Sequence, residues 1–409
     1  MLNVNSDRLW RSLMDMAAVG PGEHGGSRRL ALTDEDKAGR DLFVGWCRDL
    51  DCTISVDQMG NIFARRAGSD DTAAPVCMGS HLDTQPHGGK FDGVYGVLAG
   101  LEVLHSLNDN TINTQAPVEV IVWTNEEGSR FPPAMIASAV FAGAFDLEYG
   151  LSRTDSEGCS IGEELARIGY AGDLPCGGRA LGAFFEAHIE QGPILEREST
   201  TIGIVKGAQG SRWYDVVVRG QDAHAGSTPM PGRRDALVGA SRLIADIQQL
   251  ALSTAEDAVA TVGEMYVLPN SRNTIPGEVR FSVDLRHFDA AVLESMDVGL
   301  GALCERGAEQ SSLEVALEQI WYQPPVEFDE SCINAVSTAA QNLGLSARAI
   351  YSGAGHDACL ISRVAPTSMI FVPCKGGISH NESESATPED LAAGCNVLLH
   401  AVLDRAGQS

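Results

Sequence analysis

Two stretches decide the fold of this chain: Gly79-Ser80-His81-Leu82-Asp83-Thr84 and, shortly after it, Gly89-Lys90-Phe91-Asp92-Gly93. The apolar run 76–78 precedes them and predicts a buried strand that ends in a polar, glycine-rich turn. Open α/β sheets carry their chemistry at the carboxyl ends of their strands. The two stretches therefore predict an α/β fold with a functional site at this turn.

The turn offers an imidazole, His81, and two carboxylates, Asp83 and Asp92. Imidazole and carboxylate together suit a borderline divalent metal such as zinc, cobalt or manganese. Because Asp83 lies two residues after His81, we expect its carboxylate to accept the other ring N–H of His81. A lone His-x-Asp pair also leaves open a capped turn with incidental charges.

The composition excludes several kinds of partner. The chain has 409 residues, enough for two or three domains, and it carries 55 Asp and Glu against 29 Lys and Arg, a formal net charge of -26. This charge argues against nucleic acid and against an anionic membrane as partners. An anionic substrate would need a specific local cation.

No apolar run is long enough to span a membrane, and the N-terminus lacks the basic start and apolar region of a signal peptide. The ten cysteines are scattered and form no C-x-x-C pair. These features predict a protein of the reducing cytoplasm.

A strand–helix–strand rhythm continues after the first turn. Residues 94–107 predict a helix, and 118–124 predict a second buried strand that ends at Glu126 and Glu127. Two strands joined by a helical crossover are parallel, so their polar ends lie at the same edge of the sheet. The strand 184–189 brings His188 and Gln191, and His380 follows the strand 367–372.

The pattern changes in the middle of the chain, where residues 213–324 predict the order strand, helix, strand, strand, helix, strand. The expected strands are 213–218, 258–268, 278–287 and 313–321, and the expected helices are 234–250 and 290–305. This βαββαβ order is ferredoxin-like. We therefore predict a mixed, mainly parallel α/β domain built from 1–212 and 325–409, into which a smaller ferredoxin-like domain, 213–324, is inserted.

Glu127, His188 and His380 join His81 and Asp92 as candidate ligands, because each lies at or just after a strand end. A carboxylate shared between two ions about 3.5–4 Å apart is the usual arrangement of two-metal hydrolases. Each histidine taken alone is also compatible with a structural role. In extended chain, neighbouring side chains face opposite ways, so Glu127 can bind metal while Glu126 faces the substrate as general base.

Seven motifs carry a resemblance to a known family: GSHLDTQPHGGKFDG, TNEEGSRF, EAHIEQGP, GQDAHAGSTPM, PNSRNTIPGEV, SGAGHDA and GISHNESE. The chain resembles the hydantoinase/carbamoylase family of amidohydrolases, in the aminoacylase/carboxypeptidase clan of dinuclear metallohydrolases, from about residue 76 to 385. The resemblance implies two divalent ions per subunit (Zn, Mn, Co or Ni) on His81, Asp92, Glu127, His188 and His380, with Asp92 bridging and Glu126 as base. Peptidase and aminoacylase members of the clan typically have a carboxylate at the position of His188, so histidine favours the carbamoyl-hydrolase branch.

The resemblance also implies substrate contacts from Gln191, His224, Asn273, Arg286 and Gly355. The side chains of three of these residues have the chemistry that such contacts need. Arg286 lies on the polar face of an alternating strand, where a guanidinium can bind a carboxylate, although a pair with Asp284 is the alternative. His224 could donate to an oxyanion or have no role, and Asn273 could share the carboxylate.

The activity implied is hydrolysis of an N-carbamoyl-L-amino acid to the amino acid, carbon dioxide and ammonia, with Glu126, Asp83 and His224 in catalysis. The alternatives are a β-ureidopropionase or an allantoate amidohydrolase and, less favoured, an aminoacylase or peptidase or a catalytically dead binding protein. The resemblance further implies a homodimer formed through the inserted domains, with His224 reaching the neighbour's site. We extend this hypothesis of a shared site to Arg286.

Overall fold

The computed structural model describes residues 2–407, which form two compact units: 2–207 with 327–407, and Ala208–Val326. The helices are α1 (Ser6–Ala17), α2 (Asp34–Asp49), α3 (Val94–Asp109), α4 (Ile136–Phe141), α5 (Leu147–Leu151), α6 (Ile161–Ile168), α7 (Ile194–Glu198), α8 (Ala236–Thr254), α9 (Ala290–Ser311), α10 (Glu330–Asn342), α11 (Asp357–Ile361) and α12 (Pro388–Ala406). The strands are β1 (Thr53–Val56), β2 (Ile62–Arg66), β3 (Val76–His81), β4 (Val118–Trp123), β5 (Ala183–Ile189), β6 (Ile202–Ala208), β7 (Gly210–Arg219), β8 (Ala223–His224), β9 (Val259–Thr261), β10 (Met265–Leu268), β11 (Thr274–Ile275), β12 (Glu278–His287), β13 (Glu314–Gln323), β14 (Val326–Glu327), β15 (Ala347–Ser352) and β16 (Thr367–Val372).

The first unit is built on a nine-stranded sheet in the order β1-β2-β4-β3-β5-β16-β6-β14, with β15 also paired to β6. The four central strands β4, β3, β5 and β16 are parallel, whereas β2 and β6 join them antiparallel. Every residue of these central strands is buried, as expected for strands covered on both faces. The predicted α/β fold with a mixed sheet and a parallel centre is confirmed.

The register aligns the carboxyl ends of the central strands. His81 at the end of β3 pairs with Trp123 at the end of β4, and His188 near the end of β5 pairs with Phe371 of β16. Strand β16 separates β5 from β6, although β6 follows β5 directly along the chain apart from the short helix α7. The polar turns after β3, β4, β5 and β16 therefore meet at one edge of the sheet.

Local sequence explains where the helices of this unit begin. The side chain of Thr33 accepts a hydrogen bond from the Asp36 N–H at 3.2 Å, and three acidic residues fill the first turn of α2. Helix α12 starts in the same way, since the Thr387 side chain accepts from the Asp390 N–H at 3.1 Å. Its N1 residue, Pro388, lacks the N–H that the first turn leaves unpaired.

The second unit has a sheet in the order β10-β12-β7-β13, with β9 also paired to β12, and helices α8 and α9 that pack together and on this sheet. The expected strand 258–268 is wrong as a single element: it forms β9 and β10, which pair with different parts of β12. The chain leaves the ladder between them, where the Glu264 N–H bonds the Ser282 hydroxyl. Helix α8 begins two residues later than expected, because Asp235 caps it.

Among the described residues, no helix combines the length and the apolar composition needed to cross a bilayer. The ten cysteines all lie within the described part of the chain and are free thiols.

Candidate dinuclear metal centre

His81, the last residue of β3, is held so that one ring nitrogen is available. Its Nδ1 lies 2.8 Å from the backbone carbonyl oxygen of Asp83, so Nδ1 carries the proton and donates it. Its Nε2 then lies 3.7 Å from Asp92 Oδ1 and 3.5 Å from Glu126 Oε2. Burial lowers the pKa of His81 to about 4, which keeps the ring neutral and able to act as a ligand.

The expected hydrogen bond from His81 to Asp83 is therefore wrong in its acceptor atom, which is the backbone carbonyl oxygen and not a carboxylate oxygen. The chain turns directly after β3 and brings the carbonyl of Asp83, rather than its side chain, to the ring. The Asp83 carboxylate instead accepts the backbone N–H groups of Glu126 (3.3 Å) and Glu127 (3.2 Å). Asp83 thus joins the turn after β3 to the turn after β4.

His188 approaches the same aspartate from β5. Its Nδ1 lies 2.9 Å from the Ile189 carbonyl oxygen and its Nε2 lies 3.2 Å from Asp92 Oδ1. Gly93 fills the space between the two histidines: its φ is +66°, and a Cβ there would come within 2.2 Å of the His81 ring. His81, Asp92 and His188 form a buried first ligand group.

A second ligand group uses the other oxygen of the shared aspartate. His380 Nε2 lies 3.4 Å from Asp92 Oδ2 and 3.4 Å from Glu127 Oε2. Burial alone would raise the pKa of Asp92, but its hydrogen bond with His188 and the nearby imidazoles hold that pKa well below its usual range. Two imidazole–carboxylate groups with a common ionised aspartate have the donor chemistry of a site for two borderline divalent ions.

Glu126 is buried beside the first group. Its Oε2 faces His81 Nε2 at 3.5 Å, whereas Glu127 faces His380 and accepts a hydrogen bond from Gln85 Nε2 at 2.7 Å. Burial, followed by the charges of Asp357 and Glu127, raises the pKa of Glu126 well above its usual value. A carboxylate whose pKa is raised is a stronger base than an ordinary carboxylate in water.

Gln191, directly after β5, contacts the shared aspartate. Its Nε2 donates to Asp92 Oδ2 at 2.8 Å and lies 3.3 Å from the Ser379 hydroxyl. Its Oε1 is buried and has no hydrogen-bond partner among the described residues. Gly355 belongs to the same unit and precedes His356, whose ring centre lies 4.7 Å from that of His188.

Glu384 was missed in the sequence analysis, although it lies in the same motif as His380. Its Oε1 accepts the backbone N–H groups of Phe91 (2.8 Å) and Asp92 (3.2 Å). Burial, and then the charge of Asp92, raises the pKa of Glu384 to about 7. The signal that could have found it is a glutamate four residues after a candidate ligand.

A third cluster lies behind His188 and was also missed. Glu186 accepts the hydroxyl of Ser80 (2.5 Å) and the N–H of Ala358 (3.0 Å), and His356 Nε2 lies 2.8 Å from the Ser352 hydroxyl. Glu186 and His356 can form a ligand group with His188. Because His188 Nε2 faces Asp92 and the Gly93 N–H, and its Nδ1 donates to the Ile189 carbonyl, we assign this cluster to the support of β5.

The remaining expected substrate contacts lie in the second unit. His224 Nδ1 accepts the N–H groups of Gly226 and Ser227, both at 3.1 Å, so the proton of the neutral ring is on Nε2. His224 in β8 pairs with Thr274 in β11, which places Asn273 beside this short ladder. Arg286 forms the ion pair with Asp284 that was the alternative to a free guanidinium on this strand. Its Nε and Nη2 donate to the Asp284 carboxylate at 3.0 Å and 2.8 Å.

The parallel sheet centre and the two ligand groups that share Asp92 define an α/β protein with a candidate dinuclear metal centre. Residues 77–404 match the family described as Peptidase family M20/M25/M40. The chain belongs to this family and, within it, to the hydantoinase/carbamoylase amidases. The resemblance in the sequence motifs is thereby confirmed, as is the expected enzyme class, a hydrolase of C–N bonds.

Several relatives match this chain over nearly its whole length. An N-carbamoyl-L-amino-acid amidohydrolase of Rhizobium meliloti is 50% identical over 98% of this chain and 97% of its own length. An N-carbamoyl-L-amino acid amidohydrolase of Geobacillus stearothermophilus is 37% identical over 98% of each chain. A crystal structure of a hydantoinase/carbamoylase family amidase from Burkholderia multivorans has a TM-score of 0.97 at 62% identity, covering 99% of this chain and 98% of that chain.

Proposed function

We propose that this chain hydrolyses the carbamoyl C–N bond of an N-carbamoyl-L-amino acid, releasing the amino acid, carbon dioxide and ammonia. The observation that carries the proposal is the pair of ligand groups that share Asp92, with the buried carboxyl of Glu126 beside them. The names of the relatives at 50% and 37% identity support the substrate class.

His81, Asp92 and His188 would hold one divalent ion, and Asp92, Glu127 and His380 a second, each being Zn, Mn, Co or Ni. When bound, two such ions polarise the carbonyl group of the substrate and lower the pKa of water. Histidine rather than carboxylate at position 188 favours the carbamoyl substrate over a peptide.

In this proposal Glu126 takes a proton from the attacking water and gives it to the leaving nitrogen, for which its raised pKa is suited. Asp83 orients Glu126 by accepting the N–H groups of Glu126 and Glu127. The carboxylate of Asp83 therefore acts on the chemistry through these two N–H groups, whereas its backbone carbonyl holds the His81 ring.

Gln191 suits a substrate with several N–H groups. Its amide nitrogen is committed to Asp92, so the buried Oε1 is an acceptor that needs a donor. A ureido group supplies N–H donors on both sides of its carbonyl, whereas an N-acetyl amino acid supplies one. We assign Gln191, with the backbone around Gly355, to recognition of the ureido group.

The carboxylate of the substrate is assigned to Arg286 and Asn273, and the oxyanion to the Nε2–H of His224. Arg286 is paired with Asp284, so substrate binding has to share or displace that ion pair. This local cation would also offset the repulsion between an anionic substrate and a chain of net charge -26.

We further propose that the expected insertion, 213–324, serves as a dimerisation or lid domain and that the enzyme is a homodimer with shared sites. Strand β13 is an edge strand of its sheet, and its Ile320, Trp321 and Tyr322 are 52%, 42% and 43% exposed. Exposed apolar edge strands are typical of surfaces that a second chain covers. The free thiols support the cytoplasm as the compartment.

The test is an assay of the purified chain on N-carbamoyl-L-methionine, N-carbamoyl-β-alanine, allantoate and an N-acetyl amino acid. We expect the first substrate to have the highest kcat/KM. Chelation should abolish turnover, and Mn²⁺, Co²⁺, Ni²⁺ or Zn²⁺ should restore it to different degrees. Full activity of a preparation shown to be metal-free, or a preference for the N-acetyl amino acid, would refute the proposal.

A further inference from the structure

Glu384 joins two loops from opposite ends of the sequence. It is 5% exposed, and its Oε1 accepts the N–H groups of Phe91 and Asp92, while its Oε2 lies 3.1 Å from the Ser379 hydroxyl. A Cβ at Gly89 would lie 2.0 Å from the Glu384 carboxyl group, so the loop before Asp92 packs directly on this side chain. One carboxyl group therefore fixes the backbone of the shared aspartate against the loop that carries His380.

Ser379 extends this connection to the side chain of the shared aspartate. Its hydroxyl donates to Asp92 Oδ2 at 2.5 Å, the oxygen that faces His380. Ser379 precedes His380 directly, so the hydrogen bonds of Glu384 and Ser379 act on the same short segment. Together they set the separation between Asp92 Oδ2 and His380 Nε2.

The two ligand groups differ in how strongly they depend on this segment. His81 and His188 are buried at strand ends, and each donates from Nδ1 to a nearby backbone carbonyl. His380 lies in a loop, its side chain is 52% exposed and its φ is +53°. The first group is thus built into the sheet, whereas the second is assembled by the loop.

We propose that Glu384 is a positioning residue that selectively controls the second ion site, Asp92, Glu127 and His380, with little effect on the first. The inference rests on the proposed dinuclear centre. It predicts that one chain binds two ions with different affinities. Only the ion at the second site, which is bound more weakly, should respond to a change at Glu384.

The experiment titrates Co²⁺ into chelated, metal-free protein by calorimetry and counts bound ions by elemental analysis, comparing wild type with Glu384→Ala, Glu384→Gln and Glu382→Ala. Glu382 is the matched control, since it lies two residues earlier in the same loop and binds the His24 and Gly26 N–H groups instead. We expect Glu384→Ala to weaken one of the two ions by about 10- to 100-fold, the usual effect of removing a partner that orients a ligand. Glu382→Ala should retain both ions.

Glu384→Gln keeps an acceptor for the two N–H groups and places an amide N–H beside the Ser379 hydroxyl oxygen, which can accept it, so this variant should recover most of the lost affinity. A double variant, Glu384→Ala with His380→Ala, assigns the affected ion, because it should bind its remaining ion as tightly as His380→Ala alone. Circular dichroism and thermal unfolding of each variant verify that it is folded.

Three results would overturn the inference: two ions held by Glu384→Ala within twofold of wild type, equal weakening of both ions, or a Gln variant as weak as the Ala variant, which would assign the effect to charge. If wild type itself binds fewer than two ions, the dinuclear centre is refuted and the inference with it. The two failures are thus distinguishable.

Discussion

Glu126 and Glu127 are adjacent in the sequence, yet they contact different histidines. Glu126 faces His81 and Glu127 faces His380 from the bend that follows β4, in which Asn125 has a φ of +55°. Asp83 holds both backbone N–H groups and so fixes this divergence. In the proposed mechanism this one bend supplies both the group for proton transfer and a group for metal binding.

We expect Glu126→Gln to lower kcat by roughly 100-fold or more, because the amide keeps the size of the side chain but cannot accept the proton. Its metal content should stay near that of wild type. Glu127→Gln is the matched control and should lose the second ion, as measured by elemental analysis after gel filtration. An exchange of the two phenotypes would reverse our assignment of the two glutamates.

The sequence was most informative for residues at strand ends. His81, Glu127 and His188 follow apolar runs, so their convergence could be predicted from the parallel order alone. The bond from His81 to the Asp83 carbonyl could not be predicted, because it depends on the path of the turn after β3. Glu384 was missed for a related reason: its contacts are with residues almost 300 positions earlier.

At the scale of the element, helix α6 anchors the loop that carries Glu126. Glu164 of α6 accepts from Arg130 Nη2 and from Arg167 Nε, each at 2.8 Å, and Arg130 follows Glu126 by four residues. Helices α4, α5 and α6 were not predicted, since two of them are only five or six residues long and too short to show a periodic pattern. The long elements, such as β12 and α9, have clear periods and were predicted.

We expect Glu164→Gln to lower the free energy of unfolding by about 1–3 kcal/mol at pH 7, the usual range for hydrogen bonds to charged groups. The hydrogen bonds from Arg167, with the one from Arg130, lower the pKa of Glu164 in the folded chain. Its contribution is therefore present above the unfolded pKa, about 4.3, and is lost as the pH falls through the folded value.

Urea unfolding of both proteins from pH 7 to pH 3.5 measures this effect. The difference between wild type and Glu164→Gln should shrink below about pH 4, while Glu148→Gln, an exposed substitution in α5, should match wild type throughout. A difference that does not change with pH would mean that the charge of Glu164 has no part in the stabilisation.

At the scale of the whole molecule, every proposed metal ligand belongs to the first unit, whereas His224, Asn273 and Arg286 belong to the second. Our proposal of shared sites in a homodimer turns this division into a measurable property. A site would then combine Glu126 of one subunit with Arg286 of the other.

We expect Arg286→Ala and Glu126→Gln to be nearly inactive alone and to recover about a quarter of wild-type activity after co-refolding in equal amounts. Half of the randomly formed dimers are mixed, and each mixed dimer has one complete site. Differently tagged subunits verify the mixed dimer by two-step affinity purification. An inactive mixed dimer would show that Arg286 serves its own subunit.

The position of β16 between β5 and β6 has a consequence for folding during synthesis on the ribosome. Strand β6 is synthesised about 160 residues before β16, its neighbour in the sheet, which corresponds to roughly 8–30 seconds of translation. Throughout this interval the nascent polypeptide has unpaired strand edges and lacks His380, one of the proposed metal ligands. The nascent chain, rather than the folded enzyme, is thus the form most open to aggregation through its unpaired strands until residue 372 has been synthesised.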